Sequence, residues 1–317
     1  MCTGLAVTSG NFYFGRNLDL NYEFDQKVVI TPRNFTMTYK CDASNSSHYA
    51  MIGMATIRGG FPLYADAMNE KGLCMASLNF KDFAVYPVGE VQGKKSLTSY
   101  EIINWVLQSN ATVKEAREAL KNVILVDIPL MDGVPVAPLH WLISDKDESI
   151  VLEQTEEGLQ LIDNPIGVLT NNPPFKYHLM SLRNYRNLSV DNGENTFTDK
   201  VELKPLGVGM GGIGLPGDSS PNSRFVKATF LRSHAAFGQD NEENIALFFH
   251  ILDNVAMVKG TVNGNDGTDE YTMYTACMNG TTGDYIYKTY KHISPVKFNI
   301  FDENLDTDKL IDKGYLG

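Results

Sequence analysis

Residues 1–90 read as a succession of short strands separated by turn residues, and this constrains the fold more than any other feature. "LAVT", "FYFG" and "KVVITP" come first, the first two joined through Ser9-Gly10-Asn11. "YAMIGMAT" and "GLCMASLNF" follow, the second opened by the turn-like "NEKG". Helical signals then take over. "TSYEIINWVLQS" places Thr98 three residues before Glu101, and "TVKEAREALKN" places Thr112 three before Glu115. Both fit a capping box. The sequence repeats this order. "PLHWLISD", "SIVLEQT", "GLQLIDN" and "GVLTNNP" read as strands, whereas "FKYHLMSLRNYRN", "SRFVKATFLRSHAAF" and "NEENIALFFHILDNVAMV" carry helical periodicity. "YTMYTACMN" and "DYIYKTY" then alternate as a hairpin, followed by "VKFNIF". Strand runs followed by helix runs, twice over, predict an α+β fold of antiparallel sheets with helices on their outer faces. One domain over residues 1–317 fits better than two, and a division would fall near residue 130.

Composition removes several classes of function. The chain has 317 residues, long enough to bury a sizeable core, with 43% hydrophobic and 21% charged residues. A net charge of −11 and a pI near 5.0 argue against nucleic acid or an anionic membrane as the main partner. The N-terminus lacks the basic and apolar regions of a signal peptide. The most apolar stretch, "IALFFHILDNVAMV", is interrupted by His250, Asp253 and Asn254 and is too short to span a bilayer. Cys2, Cys41, Cys74 and Cys277 are scattered without C-x-x-C spacing. That usage suits a reduced, cytoplasmic setting and gives no reason for disulfides. The sequons "NFT" and "NSS" are read as chance.

Cys2 directly follows the initiator methionine, and small residues come close behind it in "MCTGLAV". Removing Met1 would give one residue both a thiol and a free α-amine. Ordinary thiols titrate near about 8.5 and α-amines near about 7.7–8.0, so a proton passes readily between such groups. The amine can accept the thiol proton and deliver it to a leaving nitrogen. A buried strand cysteine explains the first residues equally well. The stretch "YFGRNLDLNYEF" shifts the balance, because a hairpin through Gly10 would return Arg16 and Asp19 towards Cys2. A guanidinium beside a thiol favours thiolate, and a carboxylate can orient an α-ammonium. An ordinary surface ion pair needs no such geometry.

Acyl transfer also requires donors for a developing oxyanion. Asn79 in "ASLNF" and Asn171 in "LTNNPP" stand at strand ends, although either could be a turn residue. "GGIGLPGDSSPNSRF" is a glycine-rich loop entering a helix whose first turn holds Arg224, and it lacks the phosphate-loop pattern. His140, His178, His234 and His250 lack metal-site spacing and read as structural. Glu153, in an apolar strand, is an acid or base candidate without a paired carboxylate.

Together, "MCTGLAV…YFGRNLDLNYEFDQKVVITPRNF", "YADAMNEKGLCMASLNF", "LHWLISD…SIVLEQT", "VLTNNPPF" and "GLPGDSSPNSRFVKATF" resemble the choloylglycine hydrolase family, closest to its bile salt hydrolases. The resemblance covers almost the whole chain. It implies the N-terminal nucleophile hydrolase fold, a four-layer αββα sandwich, with a mature chain beginning at Cys2 and commonly a homotetramer. It matches Cys2 to the nucleophile, Arg16 to the thiol-adjacent arginine and Asp19 to the carboxylate near the amine. Asn79 and Asn171 match the active-site asparagines, and Arg224 the second arginine.

The implied reaction is cleavage of the C24 amide of glycine- or taurine-conjugated bile acids, with no metal and no organic cofactor. The apolar part of the substrate is expected among loop residues from "NYEFDQ", "RGGFPLY" and "NFKDFAVY". Gly207-Val208-Gly209, in a tract linked to conjugate choice, leans towards taurine. Asn79 separates the chain from penicillin V acylases, which typically carry tyrosine there. Penicillin V hydrolysis, acyl transfer to an amine, and inactive binding of amphipathic anions remain the alternatives.

Overall fold

The computed structural model describes residues 1–129, 135–264 and 267–316. Strands β1 (Cys2–Ser9), β2 (Asn11–Leu20), β3 (Lys27–Thr31), β4 (Met51–Arg58), β5 (Phe61–Asn69), β6 (Cys74–Asn79) and β7 (Lys95–Leu97) open the chain. Helices α1 (Ile102–Leu107) and α2 (Val113–Leu120) follow. Strands β8 (Val123–Leu125), β9 (Leu139–Ser144), β10 (Ser149–Thr155), β11 (Gly158–Asp163) and β12 (Val168–Leu169) come next. Three helices succeed them: α3 (Phe175–Ser181), α4 (Pro221–His234) and α5 (Asn241–Asp253). The last strands are β13 (Tyr271–Asn279), β14 (Asp284–Thr289), β15 (Val296–Asn299) and β16 (Ile311–Asp312).

Two antiparallel sheets form the centre. The first runs β12-β1-β2-β13-β14-β15 and the second β11-β10-β9-β6-β5-β4-β3-β16, with β7 and β8 as a small parallel pair outside them. The α1 and α2 helices pack on the outer face of the second sheet, and α4 and α5 cover the first. This is the expected αββα sandwich. Residues near 130, the position considered for a division, lie outside the described residues, and β6 from before that point pairs with β9 from after it.

Strand alternation accounts for the layers. In β6, Cys74, Ala76 and Leu78 face the inter-sheet core while Met75 joins the core beneath α1 and α2. In β9, Leu142 faces inward, and Trp141 and Ile143 face the helices. Period-two side chains buried on both faces give near-continuous apolar strands, and burying each such Leu, Ile or Val contributes roughly 1.5–3 kcal/mol. Gly15 in β2 is imposed by close approach, since a Cβ there would lie 1.9 Å from the Ala276 carbonyl oxygen of β13.

The two capping boxes have different outcomes. At α2, Thr112 Oγ1 accepts the Glu115 amide at 3.2 Å and Glu115 reaches back to the Ala111 amide. At α1 the Thr98 amide donates to Glu101 at 2.9 Å, but Thr98 Oγ1 is buried without a partner among the described residues. The other Glu101 oxygen takes the Lys40 amide, and the helix begins only at Ile102. Further on, α4 starts with Pro221 at its first position, and Asp240 caps α5 through the Glu243 amide at 2.8 Å.

Candidate active site

The site is built on the β1–β2 hairpin, whose turn uses Gly10 at φ 65°. Its register pairs Cys2 with Leu18, Thr3 with Asn17 and Gly4 with Arg16. Side chains alternate, so Cys2, Arg16 and Leu18 share the face towards the second sheet. Thr3, Asn17 and Asp19 share the face towards α4 and α5. Cys2 therefore sends its thiol into one layer while its nitrogen lies near groups of the other.

On the inter-sheet face, Arg16 Nη2 donates to Cys2 Sγ. Nη1 of the same guanidinium donates to Ser77 O and, at 3.1 Å, to Ala65 O. A β-bulge explains the second acceptor. Met54 pairs with Asp66 and Ala55 with Tyr64, which leaves Ala65 as the extra residue of β5. Asp66 accepts Tyr274 Oη at 2.5 Å and Tyr285 Oη at 2.7 Å. Burial pushes the Asp66 carboxyl up, against the pull of Arg16 and the two hydroxyls. Burial alone would depress Arg16, but Cys2, Tyr274, Asp66 and Asp19 outweigh it and the net shift is upward. The guanidinium stays charged against the sulfur.

On the helix-facing side, the Cys2 amide nitrogen donates to Asn171 Oδ1 at 2.8 Å. Arg224 Nη2 donates to the same oxygen at 2.7 Å, while Nη1 donates to Cys2 O at 2.5 Å and Thr3 Oγ1 at 2.7 Å. Its Nε is held by Ser219 O at 2.9 Å, just before α4. Burial depresses Arg224 despite the nearby charges of Asp19 and Cys2. Asp19 accepts Thr272 Oγ1 at 2.6 Å through Oδ1, whereas its buried Oδ2 has no hydrogen-bond partner among the described residues. Burial raises its pKa, opposed by Arg224 and by the amino terminus. The Met1 ammonium donates to Asp19 O at 2.6 Å and to Glu270 Oε2 at 3.2 Å.

The two asparagines differ in their commitments. Asn171 Nδ2 spends one of its two hydrogens on the Asn79 carbonyl at 3.0 Å. Asn79 accepts the Lys81 amide on Oδ1 at 3.0 Å, and no described residue accepts from its Nδ2. Asn79 lines a cavity of about 310 Å³ with Cys2 and Arg16. The rest of that wall includes Leu18, Leu20, Tyr22, Phe24, Leu63, Tyr64, Tyr100 and Leu139. Tyr22 and Phe24 come from "NYEFDQ", and Leu63 and Tyr64 from "RGGFPLY", as expected. From "NFKDFAVY" only Asn79 is among the lining residues, and Phe80 is packed in the core. A larger groove, about 860 Å³, opens at the other end of β1. It is lined by charged residues such as Arg117, Glu148 and Asp163, with Arg117 pairing to both carboxylates, and no cysteine is among its lining residues.

All six residues singled out in the sequence therefore meet around Cys2. Sequence reasoning missed Asp66, Tyr274, Tyr285 and Thr272, whose partners lie on distant strands and leave no local spacing signal. Glu270, at the amino terminus, was missed for the same reason.

A family model described as linear amide C–N hydrolases, choloylglycine hydrolase family, matches residues 2–313. A bile salt hydrolase/transferase of Lactiplantibacillus plantarum is 43% identical over 311 residues, covering 98% of this chain and 96% of the relative. A conjugated bile acid hydrolase of Lactobacillus gasseri is 44% identical over 314 residues, covering 98% and 99%. A crystal structure of a mutant conjugated bile acid hydrolase from Clostridium perfringens superposes with a TM-score of 0.93 at 40% identity, covering 100% of this chain and 97% of that one. Penicillin V acylase from Agrobacterium tumefaciens shares the fold, with a TM-score of 0.79 at 19% identity. With the site geometry and these likenesses together, the chain belongs to the choloylglycine hydrolase family of linear amide C–N hydrolases.

Proposed function

We propose that this chain is a bile salt hydrolase, cleaving the C24 amide of glycine- or taurine-conjugated bile acids. The observation that carries the reading is the position of Cys2. Its sulfur meets Arg16 at the wall of a largely apolar cavity, while its nitrogen is held by Asn171. Once Met1 is removed, that nitrogen becomes the α-amine. Cys2 Sγ attacks the amide carbonyl carbon, and its proton passes to the amine. Asn79 Nδ2, without an acceptor among the described residues, serves the tetrahedral oxyanion. The ammonium then protonates the departing nitrogen as the C–N bond breaks, leaving a thioester on Cys2. Water, deprotonated by the same amine, attacks the thioester, and the thiolate leaves.

Asn171 and Arg224 orient the amine in this reading, since Asn171 Oδ1 accepts from the Cys2 nitrogen and Arg224 holds that oxygen and the Cys2 carbonyl. The unpartnered Asp19 Oδ2 is the acceptor available for the new ammonium. The cavity suits an amphipathic acyl group, having aromatic and aliphatic walls and a polar end at Cys2.

Residues 1–317 act as one catalytic unit in this reading. Assembly as a homotetramer is supported by exposed apolar residues between β12 and α4, with Phe197, Leu206 and Val208 at least 90% exposed. A cytoplasmic location is supported by four unpaired cysteines. Amine release from glycocholate, taurocholate and penicillin V tests the reading. Efficient release from a bile conjugate and slow turnover of penicillin V are expected, and the reverse would overturn it.

A further inference from the structure

His140 and Glu153 are fully or almost fully buried and take no part in the reaction described above. They face each other across β9 and β10, one step beyond the Leu152–Trp141 pair. His140 Nδ1 lies 3.0 Å from Glu153 Oε1, and Nε2 lies 2.9 Å from Thr170 O. The ring stacks on Phe80 with centroids 4.4 Å apart and planes 6° from parallel. Thr170 directly precedes Asn171, and Phe80 directly follows Asn79. A single imidazole thus touches the neighbours of both site asparagines. Those asparagines are themselves joined, Asn171 Nδ2 to Asn79 O.

The proton positions follow from the partners. A carbonyl oxygen can only accept, so Nε2 carries the hydrogen that bonds Thr170. Nδ1 then faces a carboxyl oxygen that also accepts the Phe175 amide at 3.0 Å. Imidazolium with carboxylate satisfies every contact, and so does neutral imidazole with the proton on Glu153. A glutamine at 153 reproduces neither arrangement in full. Beside neutral imidazole, one terminal atom would have to accept from Phe175 and donate to Nδ1, which amide oxygen or nitrogen cannot do. Beside imidazolium, the amide oxygen can accept both bonds but leaves the buried cation without its counter-charge. The next carbonyl, Asn171 O, accepts from His178 Nε2 at 2.9 Å. Two histidines therefore hold consecutive carbonyls and fix the backbone from which the Asn171 side chain reaches Cys2.

We propose that His140 and Glu153 are a positioning pair for the amide chemistry, holding Asn79 and Asn171 in register with each other and with Cys2. The inference rests on the reading in which those asparagines serve Cys2. It does not require either member of the pair to touch substrate.

His140→Phe keeps the stack on Phe80 and deletes both ring nitrogens, while Glu153→Gln keeps the volume and breaks the proton arrangement. For glycocholate, each folded variant should lose roughly tenfold or more in kcat, with KM changed by less than about twofold. Iodoacetamide should still alkylate Cys2 within about twofold of the unsubstituted rate, because Arg16 is untouched. Unchanged kcat in folded variants would overturn the proposal, and so would matching losses in kcat and alkylation. On the unsubstituted protein, nitrogen-15 histidine spectra should show a protonated His140 Nε2, identified by its absence from His140→Phe. A bare Nε2 would overturn the proposal whether or not the variants fold. Turnover by Cys2→Ala would instead refute the site reading, so the two failures are distinguishable.

Discussion

The two faces of the β1–β2 hairpin handle the same residue in opposite ways. On the inter-sheet face, Arg16 is surrounded by acidic groups that outweigh its burial, and its pKa rises. On the helix-facing side, burial outweighs the neighbours of Arg224, and its pKa falls. Arg16 reaches sulfur, whereas Arg224 reaches the carbonyl oxygen of Cys2 and the asparagine that accepts from its nitrogen. The difference separates two tasks that an N-terminal cysteine combines. One arginine holds charge against the thiolate, and the other fixes the backbone from which the amine projects.

That division can be broken by substitution, with Cys2 itself carrying the largest effect. Cys2→Ala should lower turnover of conjugated bile acids by roughly 10⁴-fold or more while circular dichroism stays native. Arg16→Leu should come next, lowering kcat/KM by roughly 10²- to 10³-fold. It should also slow alkylation of Cys2 by iodoacetamide at neutral pH by about tenfold or more. Arg224→Met should lower kcat by roughly 10- to 100-fold yet leave alkylation nearly unchanged. If both arginine variants slowed alkylation equally, the two faces would not be distinct.

Much of this division was legible in the sequence because the hairpin is local. Gly10 sets the turn, and counting from it places Arg16 and Asp19 on opposite faces near Cys2. Asn79, Asn171 and Arg224 were identifiable from their flanking motifs, although not that Asn171 spends an amide hydrogen on the Asn79 backbone. The anionic support of Arg16 was not legible. Asp66 lies on the second sheet, Tyr274 and Tyr285 on two strands of the first, and only packing brings them together. His140, read from sequence as structural, is one neighbour removed from both asparagines, and no spacing within one strand reports that. The capping box at α1 is likewise only half legible. Glu101 accepts the Thr98 amide as its spacing suggests, but it also binds a loop amide at Lys40, and the Thr98 hydroxyl has no partner among the described residues.

Stability measurements sharpen the same comparison. Asp66→Asn removes one of the buried acidic groups that face Arg16 and the acceptor of two tyrosine hydroxyls, and should cost about 3 kcal/mol in denaturant unfolding. His178 gives a smaller, pH-dependent effect. Burial lowers its pKa from the ordinary 6.5, so on acidification the unfolded chain takes up the proton first. Its contribution is complete above about pH 6.5 and is lost as pH falls through the lower folded value. His178→Gln should flatten that acid decline by at most about 1.4 kcal/mol per pH unit.

The most direct test is the intact mass and peptide map of enzyme quenched in acid during turnover of taurocholate. A chain lacking Met1 and carrying a bile acyl group on Cys2 is the expected result. An active chain that retains Met1, or an acyl group on any other residue, would contradict the assignment of Cys2 as nucleophile and proton carrier together.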